Sequence, residues 1–193
     1  MRELVYYVAL SLDGRIAGPD DDFSAFPIEG DHIELIARDY RDTLPGVWLE
    51  RAGLTADRSR FDTVLMGWST YAAGLSHGID DPYPHLRQYV FSRRPRELPD
   101  GITQIVDDAV PTVRRLKAED DSGIWLCGGG LLATALLPEI DRLILKINPV
   151  VLGDGPALFR GGDYDPRTFA LEDSTRFRSG VVINEYVRRS TER

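Results

Sequence analysis

Only one cysteine, Cys127, occurs in the 193 residues, so an intrachain disulfide and a cysteine-built metal site are both excluded. Histidine is almost as scarce. His32, His77 and His85 show no metal-ligand spacing, and the H-x-E with P-C-x-x-C pattern of a zinc deaminase is missing. No apolar run reaches membrane-spanning length, and Met1-Arg2-Glu3-Leu4 opens directly into a strand pattern, so no signal peptide is expected. The cytoplasm is the expected location. Positive charge is in deficit too: 23 basic against 31 acidic residues give a net charge of −8. A field of that sign disfavours nucleic acid and anionic membranes as partners, so an anionic ligand needs a local cluster of donors. No repeat, low-complexity tract or linker divides the chain, and its length suits one domain, residues 1–193, with a sizeable core.

What is present is a series of apolar runs, each ending in polar or glycine-rich residues. Leu4 to Leu10 is a continuous β-forming run that predicts a strand buried on both faces. Ser11-Leu12-Asp13-Gly14-Arg15-Ile16 follows, placing a carboxylate at the strand's C-terminal end, where ligands sit in open α/β sheets. Asp13-Gly14 is equally ordinary turn chemistry. Asp31 with Glu34 has the pattern of a capping box. Ile33, Ile36, Ala37, Tyr40 and Leu44 then keep helical spacing until Pro45-Gly46 ends the helix. Residues 47–60 leave a second short helix open.

Phe61 to Met66 predicts a strand, turned into a short helix by Gly67-Trp68-Ser69-Thr70-Tyr71. Gln88 to Phe91 predicts another, ending in Ser92-Arg93-Arg94-Pro95, whose paired arginines suit a phosphate. Ile102 to Ile105 is a short strand, and Asp107 or Asp108 caps a helix that tolerates Pro111 in its first turn. Ile140 to Ile147 is a further strand, ahead of Asn148-Pro149. Phe169 to Phe177 and Val181 to Val187 flank Ser179-Gly180, a hairpin signal.

The stretch around which the rest is arranged runs from Gly123 to Pro138: a buried strand, the turn Gly128-Gly129-Gly130, and a short apolar helix beginning at Leu131. Three residues without Cβ let an anion reach backbone N–H groups at a helix start. The same glycines also serve a tight turn that needs close packing. The alternation predicts an α/β fold of three layers, with a mostly parallel central sheet, antiparallel C-terminal strands and helices on both faces. All the motifs then fall on one edge of the sheet. The turn is not G-x-G-x-x-G and comes late in the chain, which disfavours a Rossmann dehydrogenase.

The ordered set S-L-D-G-R-I-A, D-T-V-L-M-G-x-x-T-Y, V-F-S-R, W-L-C-G-G-G and P-V-V-L-G-D-G-P-A-L-F resembles the riboflavin-biosynthesis reductase (RibD C-terminal) family, within the dihydrofolate-reductase-like fold. The likeness runs from Leu4 to Tyr186. It implies an NADPH-dependent reductase acting on a small pyrimidine- or pterin-like substrate. A homodimer is one assembly open to such a chain. The family's defining reaction reduces the ribosyl group of 5-amino-6-(5-phosphoribosylamino)uracil to ribityl. By matching motif, Gly67, Ser69 and Thr70 approach the cofactor phosphates, and Ser92, Arg93 and Arg94 hold the adenosine 2′-phosphate. Gly128, Gly129, Gly130 and Leu131 take the pyrophosphate, while Ala9 and Ile16 border the nicotinamide. Ser11, Asp13, Gly153 and Asp154 belong to the substrate end, with Asp13, or a water it holds, as proton source.

Two departures stand out. Trp68 replaces the arginine of the family's Gly-Arg-x-Thr-Tyr, leaving Arg93 or Arg94 to supply the missing cation. Phe23 to Glu29 lacks the Trp-x-x-Pro stretch that precedes the acidic residue of true dihydrofolate reductases, which weakens folate as substrate. A folate-type reductase and a non-catalytic NADPH-binding regulatory protein are the rival readings.

Overall fold

The apolar run Leu4–Leu10 forms strand β1 in the interior of an eight-stranded sheet, in a computed structural model that describes residues 1–189. The other strands are β2 (Phe61–Gly67), β3 (Arg87–Phe91), β4 (Ile102–Ile105), β5 (Gly123–Gly128), β6 (Arg142–Ile147), β7 (Phe169–Arg176) and β8 (Val182–Arg188). Their order across the sheet is β4-β3-β2-β5-β1-β6-β8-β7. The first six are mutually parallel; β8 runs antiparallel to β6, and β7 to β8. The helices are α1 (His32–Asp39), α2 (Gly46–Ala52), α3 (Trp68–Leu75), α4 (Ala109–Lys117) and α5 (Gly130–Leu136). None of them is long and apolar enough to cross a membrane.

Strand alternation divides the core in two. Leu4, Tyr6 and Val8 pack with Val113 and Leu116 of α4 and Leu132, Ala133 and Leu136 of α5. Val5 and Tyr7 point the other way, to Ile36 of α1, Tyr40 and Tyr71 of α3. Tyr7 and Tyr40 stack with ring centroids 4.8 Å apart. Each fully buried aliphatic or aromatic side chain in these layers contributes about 1.5–3 kcal/mol, which explains why β1 is apolar on both sides. Because the strands from β1 to β6 are parallel, the residues following Leu10, Gly67, Phe91, Gly128 and Ile147 all emerge at one edge of the sheet.

Three local expectations are corrected. Asp31 makes no side-chain cap on α1. Its carboxylate instead accepts from the backbone N–H groups of Arg178 and Ser179, at 2.8 and 3.1 Å, and so anchors the β7–β8 turn. The helix also stops at Asp39 rather than continuing to Leu44. The buried Asp42 accepts from the N–H groups of Arg58, Arg60 and Phe61, which draws the chain away from the helix axis into a 3₁₀ turn at Arg41–Thr43. Finally, Pro45 does not terminate α1; it begins α2, its carbonyl accepting from Trp48 and Leu49. The hairpin at Ser179-Gly180 forms as expected, with Gly180 at φ +86°.

Candidate cofactor and substrate site

Two glycine turns meet at the C-terminal edge. A Cβ placed on Gly129 would lie 3.6 Å from the Gly67 Cα and 3.5 Å from the Thr70 hydroxyl. The starts of α3 and α5 are thus neighbours. Gly67 and Gly129, their N-caps, offer no side chain to cap them, so among the described residues the first-turn N–H groups, including those near Ser69, Thr70 and Leu131, lack side-chain acceptors. Gly129 sits at φ +100°, a conformation that strongly favours glycine. Gly130 has a different reason to be glycine: a Cβ there would stand 2.3 Å from the Ala157 carbonyl oxygen. The segment after Ala157 is held close by the Arg160 N–H, which donates to the Gly130 carbonyl and the Thr134 hydroxyl. Gly128 packs against Thr70. Leu131 is exposed beside the turn.

Ser92, Arg93 and Arg94 follow β3 at the same edge. The Ser92 hydroxyl donates to the Arg94 carbonyl at 2.8 Å, and the Gln104 amide donates to the same carbonyl at 2.7 Å. That fixes the backbone while both arginine side chains stay exposed. Arg96, which sequence reasoning missed, lies over the Trp68 ring at 4.1 Å. A cation therefore stands beside the residue that replaced the family's arginine. Its signal was present but faint: a third arginine two residues after the S-R-R motif.

The loops after β1 and β6 are laced together. Leu12 donates to the Val150 carbonyl, Ile16 to Pro156 and Leu158 to Gly14, while Arg15 donates to the Gly155 carbonyl at 2.9 Å. Asp13 closes the lacing. Its carboxylate accepts from the Ser11 hydroxyl at 2.6 Å and from the N–H groups of Leu152 and Gly153 at 3.0 and 2.8 Å. The Ser11 hydroxyl bond, then these backbone bonds, hold the Asp13 pKa down to about 2. Such a group is an anion with no proton to give at neutral pH. Among the described residues, Asp154 accepts only from its neighbour's N–H, at Gly155. Ala9 is half-buried near the end of β1, and Ile16 packs on the α4–α5 side of the core.

Asp13→Asn is expected to lower the melting temperature at neutral pH, because an amide replaces an acceptor with a donor opposite two N–H groups. A carboxylate with a depressed native pKa stabilises the fold above its unfolded pKa, and that contribution disappears as pH falls from about 4 towards 2. The gap between parent and variant should therefore close over that range. Thermal melts at stepped pH check this.

A cleft of about 560 Å³ opens between these loops and α3, lined by Arg15, Asp20, Asp21, Ser69, Asp154 and Arg160. The buried Nε of Arg15 has no partner among the described residues, and Arg160 is exposed at the foot of the glycine turn. Arg160 was missed because it lies just beyond P-V-V-L-G-D-G-P-A-L-F. A second depression, about 350 Å³, lies at the opposite end of the strands. There Arg2, Arg60 and Arg142 pair with Asp62, Glu185 and Glu172, so its cations are already neutralised. Cys127 is a poor nucleophile: burial raises its pKa to about 12, only partly offset by the Tyr83 hydroxyl at 3.7 Å. Among the described residues no group of three His, Cys, Asp or Glu could hold a metal.

The eight-stranded sheet, mostly parallel with antiparallel C-terminal strands and helices on both faces, has a dihydrofolate-reductase-like architecture. Residues 2–183 match the model of the RibD C-terminal domain, and the chain belongs to that family. It is 35% identical over 193 residues to the uncharacterized protein YwjB of Bacillus subtilis (strain 168), covering 97% of this chain and 98% of that one. Among solved structures it resembles a protein assigned to riboflavin biosynthesis from Shewanella sp. PV-4, with TM-score 0.73 and 23% identity, over 98% of this chain and 100% of the other. It also resembles dihydrofolate reductase from Enterococcus faecalis, solved with NADP(H), with TM-score 0.64, 13% identity and 97% of both chains covered.

Proposed function

We propose that this protein is an NADPH-dependent reductase of a small pyrimidine- or pterin-like compound, with 5-amino-6-(5-phosphoribosylamino)uracil as the leading candidate. The observation that carries this reading is the pair of uncapped helix starts at Gly67 and Gly129, side by side on the edge where Ser92, Arg93 and Arg94 also emerge. Unsatisfied N–H groups and two positive dipole ends suit a pyrophosphate. A cradle that a Cβ at Gly129 would narrow suits it sterically. The cofactor fits the residues present.

Gly67, Ser69, Thr70, Gly128, Gly129 and Leu131 hold the phosphates in this reading, with Gly130 keeping the turn packed. Ser92, Arg93 and Arg94 read the 2′-phosphate. Arg96 and Arg160 restore the cationic character that Trp68 removed. Ala9 and Ile16 border the nicotinamide, and NADPH supplies a hydride when bound. Ser11, Asp13, Gly153 and Asp154 form the wall of the substrate end. Asp13 holds that wall in place and supplies no proton, because its carboxylate is committed to three donors. A second copy of the chain is the proposed partner, and the cytoplasm the proposed location.

Fluorescence titration with NADPH and NADH, followed by NADPH oxidation with the phosphoribosylaminouracil and with dihydrofolate, tests the reading. Tight NADPH binding and turnover of the uracil are expected. Turnover of dihydrofolate alone would make the enzyme a folate-type reductase. Binding without turnover of either would favour a regulatory role, and failure to bind NADPH would overturn the proposal.

A further inference from the structure

Arginine supplies 21 of the 23 basic residues and lysine only two, Lys117 and Lys146. Lys117 on α4 is buried against ordinary partners, the Asp141 carboxylate at 2.6 Å and the Glu139 carbonyl at 2.9 Å. Lys146 on β6 is different. Cross-strand register sets it between Ala9 of β1 and Ile183 of β8. Alternation puts it on the same face as Ile144, the face covered by α1 and α3, one residue from the strand's C-terminal end. It is therefore next to the position that borders the nicotinamide in the reductase reading. Among the described residues its ammonium makes no hydrogen bond and no ion pair, and burial lowers its pKa below the usual lysine value.

Among the described residues no carboxylate pairs with it. His32 of α1 is close enough for the lysine to affect it, yet burial, with Lys146 adding to it, keeps His32 below its ordinary pKa. Its Nε2–H donates to the Pro27 carbonyl, and its Nδ1 accepts from the Ser179 hydroxyl. Asp31 is committed to the β7–β8 turn. Glu185, next on this face of β8, is engaged by Arg60, Arg142 and Tyr40. Tyr7 of β1 is neutral, its pKa raised by burial. Two residues beyond Lys146, the fully buried Asn148 donates to the Leu10 and Lys146 carbonyls, while its Oδ1 has no donor among the described residues. Among the described residues, the end of β6 thus carries a half-buried ammonium without a protein partner and, two residues on, a buried amide oxygen without a donor.

A half-buried ammonium with no partner among the described residues costs stability, and this chain uses arginine almost everywhere else. Arginine cannot release a proton in the working range, whereas a desolvated lysine can. Resting on the reductase reading, we infer that Lys146 is a catalytic residue that donates a hydrogen bond, and then a proton, to the carbonyl oxygen or imine nitrogen beside the carbon that accepts hydride. The C=O or C=N bond gains a hydride from NADPH at carbon and a proton from Lys146 at the heteroatom. NADP⁺ and the reduced alcohol or amine result, and the neutral lysine recovers its proton from solvent. The substrate class is a carbonyl or imine compound with no cation near the reacting carbon.

Two lysines make the test direct. Protein labelled with [¹³C]lysine is compared with Lys146→Met and Lys146→Arg by NMR. One Cε signal, absent from Lys146→Met, is expected to titrate below the usual lysine pKa. It should move on addition of NADPH and stay still with 2′,5′-adenosine diphosphate, which lacks the nicotinamide. Lys146→Met should melt no lower than the parent and bind NADPH within about twofold of it. Its turnover of the compound found active above should fall by the ~10²–10⁴-fold typical of losing a general acid. The parent's kcat should fall as pH rises through the lysine's pKa, and Lys146→Arg should lose that limb. NADPH binding with an unmoved Lys146 signal, or unchanged turnover in Lys146→Met, overturns this inference and leaves the cofactor reading standing. Absence of NADPH binding overturns both.

Discussion

Gly129→Val is expected to abolish NADPH binding while the sheet still folds. Gly129 lies at φ +100°, so any side chain there costs roughly 1–3 kcal/mol of backbone strain. The first carbon finds room, 3.5 Å from the Thr70 hydroxyl and 3.6 Å from the Gly67 Cα. The two methyl groups of valine would then fill the gap between the starts of α3 and α5, where a pyrophosphate would meet their N–H groups. Gly130→Ala provides the contrast. Its Cβ would fall 2.3 Å from the Ala157 carbonyl, and backbone cannot yield as a flexible side chain can, so this variant should lose stability as well as binding. Circular dichroism melts and NADPH fluorescence titrations on both variants separate the effects. If Gly129→Val bound NADPH as the parent does, the turn would be a packing device only.

Arg93→Ala should weaken NADPH binding about ten- to a hundredfold and leave NADH almost unchanged. The pair Arg93 and Arg94 is exposed at the end of β3, on a backbone fixed by Ser92 and Gln104. A charge-assisted hydrogen bond to the 2′-phosphate is worth about 1.5–3 kcal/mol, and each 1.4 kcal/mol is about tenfold in affinity. Because the contact is exposed, the parent's preference for NADPH should shrink as salt is raised. Titrations of both cofactors at low and high ionic strength measure this. Equal affinities in the parent would remove the 2′-phosphate role from this segment.

Much of the architecture was legible in local pattern. The doubly apolar run of β1, the turn Ser179-Gly180, the Asp108 cap on α4 and the glycine turn after β5 each depend on residues close in sequence. Their order along the chain was specific enough to indicate the family. Where local patterns misled, a distant partner had claimed the residue. Asp31 and Asp42 look like helix-start and helix residues, yet their carboxylates bind N–H groups 147–148 and 16–19 residues away.

The same division runs through the candidate site. The sequence alone placed Asp13 at the end of a strand and grouped the glycines and arginines at strand ends. It could not show that the Asp13 carboxylate also accepts from the N–H groups of Leu152 and Gly153, 139 and 140 residues on. Nor could it show that Gly130 is demanded by Ala157, that Arg96 covers Trp68, or that Lys146 lies beside Ala9. The lacing of Asp13 and the place of Lys146 depend on β1 being inserted between β5 and β6, which sets the loop after β1 against the loop after β6. The contact of Arg96 with Trp68 depends on the pairing of β2 with β3. Periodicity and turn chemistry act within a few residues, and so the chain's own order was enough for most of its elements and for its family. Charge, burial and proton affinity depend on whatever the folded sheet brings alongside, and only the tertiary structure decided those.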